Sequence, residues 1–508
     1  SVGHGHKMGR KPCRCKPAAS SRCGIYHCIP TCHFRRMFQT VTLPLWLLVL
    51  ILVFAGVTFA SHFLFPSVRW FFRGRMEKAV ARLNQRLERP IQPFKLMARP
   101  DMIMRLVHDP QVAAAVAEEA AQTGEPEAVV LERARRYARE IVPSFSATAY
   151  FGFGIRASKW FARTLYRVHL DDSRLGQIDP DATVIFVINH RSNMDYVLVT
   201  YLAARRSALS YAVGEWARVW PLSSLIRTMG AYFIRRRSDR PLYRRVLARY
   251  VQMATAAGVT QAIFPEGGLS LDGRVGAAKL GLLSYVVGGR EPGGRDVVFV
   301  PVALNYDRVL EDRVLTAAHA AGRRRFRAPL TEIFAFIGRH IWRAMRGRFR
   351  RFGDAVVSFG APVSLQAFAA DARADVAPAL AAHLMAEIVR NMPIVSVPLV
   401  ASAWGEAAMT DVSALTERTA ALAEKLEARG AGLRLPEGGA AAAVAVALEI
   451  FAMRRMVVRE GDLLRLAPEH RALIDFYAAS VHQVLNADAA SVAPKKPGAR
   501  RKIQSDPT

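Results

Sequence analysis

The stretch ATVIFVINHRSNMDY, residues 182–196, decides the fold class. Its first half, Ala182 to Asn189, is an uncharged run rich in β-branched residues. A run this short and this continuous predicts a strand buried on both faces, as in an α/β sheet. Its second half turns polar at His190 and reaches Asp195 and Tyr196. The strand ends here, and His190 and Asp195 can meet if His190 sits in a strand-to-helix turn with Asp195 on the first turn of the helix. Three more runs repeat the strand signal: QAIFP at 261–265, VVFVPVAL at 297–304 and AVVSFG at 355–360. Helix-length stretches separate them. The middle of the chain therefore reads as α/β, a sheet flanked by helices.

Outward from this block the character changes. Residues 66–170 read as helical and basic, with apolar positions at helical spacing between Pro and Gly breakers. Within them FGIRASKWFARTLYRV (153–168) mixes aromatics with Arg and Lys on an expected helix. Such a surface suits either an anionic membrane interface or a core-packing helix with a solvated basic face. Further on, arginines crowd the stretch 323–351, opposed there only by Glu332. The segment MPIVSVPLVASAW (392–404) is apolar but too short to span a membrane, and reads as buried or interfacial. An Ala-rich helical region follows from about 410, with a small hairpin expected near ALEIFAMRRMVVREGDLLRLAPE.

The 508 residues allow more than one packed unit. The formal net charge of +29 favours a polyanionic partner, such as anionic lipid headgroups or phosphorylated substrates. No zinc-finger, RNA-binding or basic-zipper signature supports nucleic acid as that partner. From Val41 to Phe65 runs VTLPLWLLVLILVFAGVTFASHFLF, without Lys, Arg, Asp or Glu, and a transmembrane helix is expected there. With Met37 as the start, positive charge on its C-terminal side implies a single pass in a cell inner or cytoplasmic membrane, with the large domain in the cytoplasm; with the basic tail present the same rule is ambiguous. All five cysteines, Cys13, Cys15, Cys23, Cys28 and Cys32, precede that run. Their spacing lacks the paired pattern of a zinc site, so no metal is assigned. Met37 is a candidate natural start, which leaves open whether residues 1–36 belong to the protein. The expected order is a disordered basic tail at 1–40, a transmembrane helix at 41–65 and a helical membrane-proximal region at 66–170. An α/β domain at 171–400, a helical extension at 401–486 and a disordered basic tail at 487–508 complete it.

The chemistry concentrates at the ends of the expected strands. His190 and Asp195 are five apart, so on one ideal helix they would lie about 140° apart and never meet. They meet only if His190 sits in the turn. A histidine so oriented by a carboxylate is a competent general base for an attacking alcohol, with no Ser or Cys nucleophile required. Gly230-Ala231-Tyr232-Phe233-Ile234-Arg235-Arg236-Arg237 places consecutive cations after a short apolar run, suited to a phosphate or to a basic helix start. Phe264-Pro265-Glu266-Gly267-Gly268-Leu269-Ser270 follows a strand, and its glycines allow backbone N–H groups close to an anion. Val300-Pro301-Val302 ends the third run at the level where α/β sheets bind ligands.

In this order, NHRSNMDY, GAYFIRR, FPEGGLS and VPVALNY resemble the four sequence blocks of the glycerolipid acyltransferase superfamily. The resemblance implies an acyltransferase-type sheet, with His190 and Asp195 as the catalytic pair and no cofactor. It assigns Arg235, Arg236, Glu266, Gly267, Gly268 and Ser270 to acceptor binding and Pro301 to the shape of the acyl pocket. Lys279 matches a downstream basic position that meets phosphate. The first block, RRYAREIVPSF (135–145) before it, Tyr306 to Glu311 after the fourth block, and the C-terminal RMVVREGDLLRLAPEHRALIDFYAASVHQVL look like the glycerol-3-phosphate acyltransferase branch. That branch implies transfer from acyl-CoA or acyl-carrier protein to the sn-1 hydroxyl of glycerol 3-phosphate. Leu269 stands where arginine is common, which shifts weight to Arg235, Arg236, Arg274 and Lys279. FPEG is commoner in the lysophosphatidate branch, which acylates the sn-2 hydroxyl.

Overall fold

The structure, a computed structural model, describes residues 44–487 apart from 177, 204–206, 215–217, 219–221, 236–239, 292, 323–337, 339–345, 347–350 and 373–374. The cysteine-bearing tail, nearly all of the C-terminal tail, Arg236 and most of the arginine-rich stretch lie outside these residues. The described chain packs as two units, one ending at Glu77 and one beginning at Lys78. The second holds the sheet.

Its eight-stranded sheet has the order β1-β7-β6-β2-β5-β3-β4, with β8 also against β6. The strands are β1 (Arg167–Asp171), β2 (Thr183–Ile188), β3 (Ser210–Val213), β4 (Ala231–Phe233), β5 (Gln261–Ile263), β6 (Val297–Tyr306), β7 (Asp354–Phe359) and β8 (Val363–Ser364). From β6 across β2, β5 and β3 to β4 every pairing is parallel, while β7 and β8 run antiparallel to β6. All six residues of β2 are buried. Alternate side chains feed two separate cores: Val184, Phe186 and Ile188 on one face, Ile185 and Val187 on the other. Helices cover both faces, which is why the strand sequence shows a continuous apolar run and no alternation. Burying each such side chain stabilises the fold by roughly 1.5–3 kcal/mol.

Pro301 lies in β6 without disrupting it. The residue falls between the stretch that pairs β8, Val298 and Phe299, and the stretch that pairs β7, from Val302 onward. Its carbonyl accepts the Gly360 N–H at 2.8 Å. The helix Ser396–Trp404 is buried along its length apart from one partly exposed residue, Ser402. The apolar segment around it is therefore a core element. A three-stranded sheet, β10-β11-β9, contains the expected hairpin, with β9 at Met409–Asp411, β10 at Val457–Glu460 and β11 at Leu463–Leu466. The helix Arg471–Leu485 closes the C-terminal region.

One expectation is overturned. A single helix, Leu45–Asn84, does cover most of the apolar run. Yet no helix among the described residues is long and apolar enough to cross a membrane. The transmembrane helix at 41–65, and the single-pass membrane location built on it, are corrected accordingly. Large apolar side chains lie exposed from Leu45 to Phe54. Further along, the same helix exposes Arg75, Lys78 and Arg82.

Candidate active site

The site forms where β2 ends. Strand hydrogen bonding continues one residue past Ile188 through the Asn189 side chain. Its amide donates to the Leu304 carbonyl at 3.0 Å and its oxygen accepts the Leu304 N–H at 2.7 Å. The chain then turns. Ser192 caps the next helix, Met194–Ala203, its hydroxyl accepting the Met194 N–H at 3.1 Å. Asp195 thus falls on the first helical turn and points back at the residues just left behind.

Asp195 is fully buried and His190 nearly so. His190 Nδ1 lies 2.9 Å from Asp195 Oδ2. The same oxygen accepts the backbone N–H groups of Arg191 and Ser192 at 2.8 and 3.0 Å. The other, Oδ1, accepts the Tyr306 hydroxyl in a short hydrogen bond. With three unambiguous donors already on this carboxylate, Nδ1 takes the protonated role, which leaves the Nε2 lone pair as the basic one. Phe264 and Tyr196 pack on the imidazole, with ring centroids at 4.5 and 5.2 Å. Burial, with Asp195 beside it, pushes the Tyr306 phenol well above its ordinary value, so Tyr306 remains a donor.

Two more carboxylates brace the turn. Glu266 accepts the His190 N–H at 2.8 Å on one oxygen and the Gly276 N–H at 3.0 Å on the other. Glu311 accepts from Ser192 Oγ at 2.8 Å and from the Asn193 backbone and side chain at 3.2 and 3.0 Å. Burial raises the proton affinity of both, and these donors oppose it. Glu266, expected among the acceptor ligands, is thus engaged by the backbone on both oxygens.

The FPEGGLS loop lies directly against His190. Ser270 donates its N–H to the His190 carbonyl at 2.8 Å and its hydroxyl to the Arg274 carbonyl at 2.7 Å. Gly267 donates its N–H to the Phe264 carbonyl at 3.0 Å, so the N–H groups of Gly267 and Ser270 serve the turn. Gly267 itself has φ +66°, and a Cβ there would come within 2.9 Å of the Lys279 Nζ. Only glycine suits that position. Lys279 therefore lies over the loop that contacts His190, while Arg274 is exposed close by. Gly268 is partly exposed.

Arg235 is placed differently. Its Nε and Nη2 make a bidentate pair with Glu140 at 2.8 and 2.7 Å. Its guanidinium also stacks over Tyr137 and Tyr243, each centroid at 5.3 Å. The Glu140 hydrogen bonds push its proton affinity up. Glu140 also pairs with Arg218. The cation expected to hold a phosphate is thus tied to the helix Glu127–Ile141. Sequence reading assigned no roles to Tyr306, Glu311 and Glu140. The stretch Tyr306 to Glu311 did carry a signal, an apolar strand breaking abruptly into polar residues.

A largely parallel sheet with a histidine at the carboxyl end of a central strand, held by a carboxylate on the following helix, is an α/β arrangement able to abstract a proton at the strand edge where such sheets bind ligands. Comparisons with known proteins narrow the class. Residues 169–305 match the Acyltransferase family and residues 339–492 the glycerol-3-phosphate acyltransferase C-terminal region. The glycerol-3-phosphate acyltransferase of Pseudomonas entomophila is 31% identical over 309 residues, 58% of this chain and 35% of that protein. Its counterpart in Ectopseudomonas mendocina is 33% identical over 285 residues, 53% of this chain and 32% of that protein. The match thus spans about a third of these relatives' own length. Among solved structures, the 1-acyl-sn-glycerophosphate acyltransferase of Thermotoga maritima matches 56% of this chain and 92% of its own, at 19% identity and a TM-score of 0.29. The chain belongs to the glycerolipid acyltransferase superfamily, in its glycerol-3-phosphate acyltransferase-like branch.

Proposed function

We propose that this chain transfers a fatty acyl group from an acyl thioester, acyl-CoA or acyl-carrier protein, to the sn-1 hydroxyl of glycerol 3-phosphate. The observation that carries this reading is the 2.9 Å contact of His190 Nδ1 with Asp195, which presents Nε2 as a base. In the reaction, Nε2 takes the hydroxyl proton as the oxygen forms its bond to the thioester carbonyl carbon. Asp195 stabilises the imidazolium that results. The tetrahedral intermediate then collapses, the C–S bond breaks, and the imidazolium returns its proton to the leaving thiolate. Lys279 and Arg274, beside the loop that braces His190, supply charge for the acceptor phosphate, with Gly268 and Ser270 shaping that side. Pro301 shapes the acyl side. Arg235 supports the fold behind the site.

The C-terminal match at 339–492 and the names of the relatives favour glycerol 3-phosphate. Pro265, in FPEG, favours the second reading, acylation of lysophosphatidate at sn-2. Incubating the purified chain with acyl-CoA and each labelled acceptor separates the two. Labelled lysophosphatidate from glycerol 3-phosphate is the expected product. Turnover of the lysolipid alone would overturn the first reading.

A further inference from the structure

Arg191, the residue after His190, is 2% exposed. No described residue accepts a hydrogen bond from its Nε, Nη1 or Nη2. An unpaired buried guanidinium is costly, and such a group in a folded protein calls for a reason. Its surroundings supply one. Its backbone N–H holds Asp195 Oδ2 at 2.8 Å, and its guanidinium lies 5.6 Å from the centre of the Phe476 ring. Phe476 belongs to the helix Arg471–Leu485, which seals this volume. The seal is tight: at Gly273, φ +80°, a Cβ would lie 1.8 Å from the Phe476 carbonyl oxygen.

Three carboxylates surround the turn from three directions: buried Asp195 on the helix after it, and partly exposed Glu266 on the loop after β5 and Glu311 beyond β6. Tyr306 faces it from β6 and Tyr477 from the C-terminal helix. Behind Tyr477, Asp312 and Arg454 form a pair of their own at 2.6 Å. Arg454 is taken by Asp312 and Lys279 lies over the Glu266 loop, whereas Arg191, beside the imidazole, is a guanidinium with no hydrogen-bond acceptor among the described residues. Burial pushes the Arg191 guanidinium below its ordinary value, and Tyr477, Asp195, Glu266 and Tyr306 oppose that.

We propose that Arg191 is a positioning residue whose unpaired charge, sealed in by the C-terminal helix, sets the protonation of the His190–Asp195 pair through space. Direct pairing would defeat this, since a guanidinium bonded to Asp195 would compete with the imidazole for the same oxygen. At a distance, the cation favours ionised Asp195 and Glu266 and disfavours imidazolium. Both effects keep the base form available at lower pH.

The inference rests on the acyl-transfer reading, and its test separates the two. Arg191→Met keeps the bulk and removes the charge. It is expected to leave Tm unchanged or raised, because an unpaired buried charge is replaced by an apolar group. The acid limb of the kcat/KM profile with glycerol 3-phosphate should move up by roughly one pH unit. Arg191→Lys should restore most of the original limb. A limb that does not move, or a uniform fall at every pH together with a lower Tm, would show a merely structural side chain. His190→Ala, assayed in parallel, tests the underlying reading: full activity there removes the reaction itself. An inactive His190→Ala beside an unshifted Arg191→Met overturns this inference alone.

Discussion

His190 and Asp195 stand five residues apart in sequence, whereas Arg235 and Glu140 stand 95 apart. Both are charged or ionisable pairs at the sheet's ligand-facing end, and both involve residues the sequence marks out for chemistry. The first pair meets because a turn and one helical turn bring it together, and everything needed for that lies within residues 189–195. The second meets because a helix from the N-terminal half packs beside β4. Arg235 follows a short apolar run and precedes further cations, which predicts a phosphate grip from local pattern alone. The structure gives its two hydrogen-bonding edges to Glu140 and its face to Tyr137 and Tyr243. A local motif predicts a local contact; it does not reveal which distant side chain has already claimed a long one.

Four measurements break or sharpen that contrast. The largest effect is expected from His190→Ala, which should lower kcat by about 10²–10⁴-fold with circular dichroism and Tm unchanged. Lys279→Ala should raise KM for glycerol 3-phosphate about tenfold with little change in kcat, because it removes a ground-state contact. Arg235→Ala in the same assay should leave KM within about threefold and lower stability by about 1 kcal/mol, as for a partly exposed ion pair. A tenfold rise in KM for Arg235→Ala would return that arginine to the acceptor site. Tyr306→Phe removes one donor from Asp195 and should reduce kcat about fivefold, the size of a single buried hydrogen bond.

The smallest effect concerns Asp307, another long-range clamp. Its carboxylate accepts the backbone N–H groups of Asp354 and Val397 at 2.7 and 2.8 Å, and burial pushes it up to about 7. Its folded value lies above its unfolded one. The stability it contributes is therefore complete below the ordinary carboxylate range and is lost as pH rises through about 7. Asp307→Asn should flatten that component. The Tm difference between wild type and variant should shift toward the variant between pH 5 and pH 8, and a constant difference would contradict the assignment.

Strand placement in the middle of the chain was legible because buried parallel strands need continuous apolar runs, and β2, β5, β6 and β7 have them. β3 and β4, four and three residues long, were not read as strands. The apolar run near the N-terminus was legible as a helix. Its extension to a membrane span was not sustained, since no helix among the described residues is long and apolar enough to cross a membrane. At the site, the meeting of His190 with Asp195 could be read from the sequence. Glu266 could be read as functional, but its engagement by two backbone N–H groups could not.

Sequence by itself determined the α/β class, the turn that carries His190 and the identity of its carboxylate, because each depends on patterns a few residues long. Tertiary structure alone decided that Tyr306 and Glu311 brace that turn, that Glu140 takes Arg235, and that Arg191 lies sealed beneath Phe476. The physical reason is range. Turn geometry and strand burial follow from neighbours along the chain, while the partner of a charged side chain depends on which distant surfaces fold together around it.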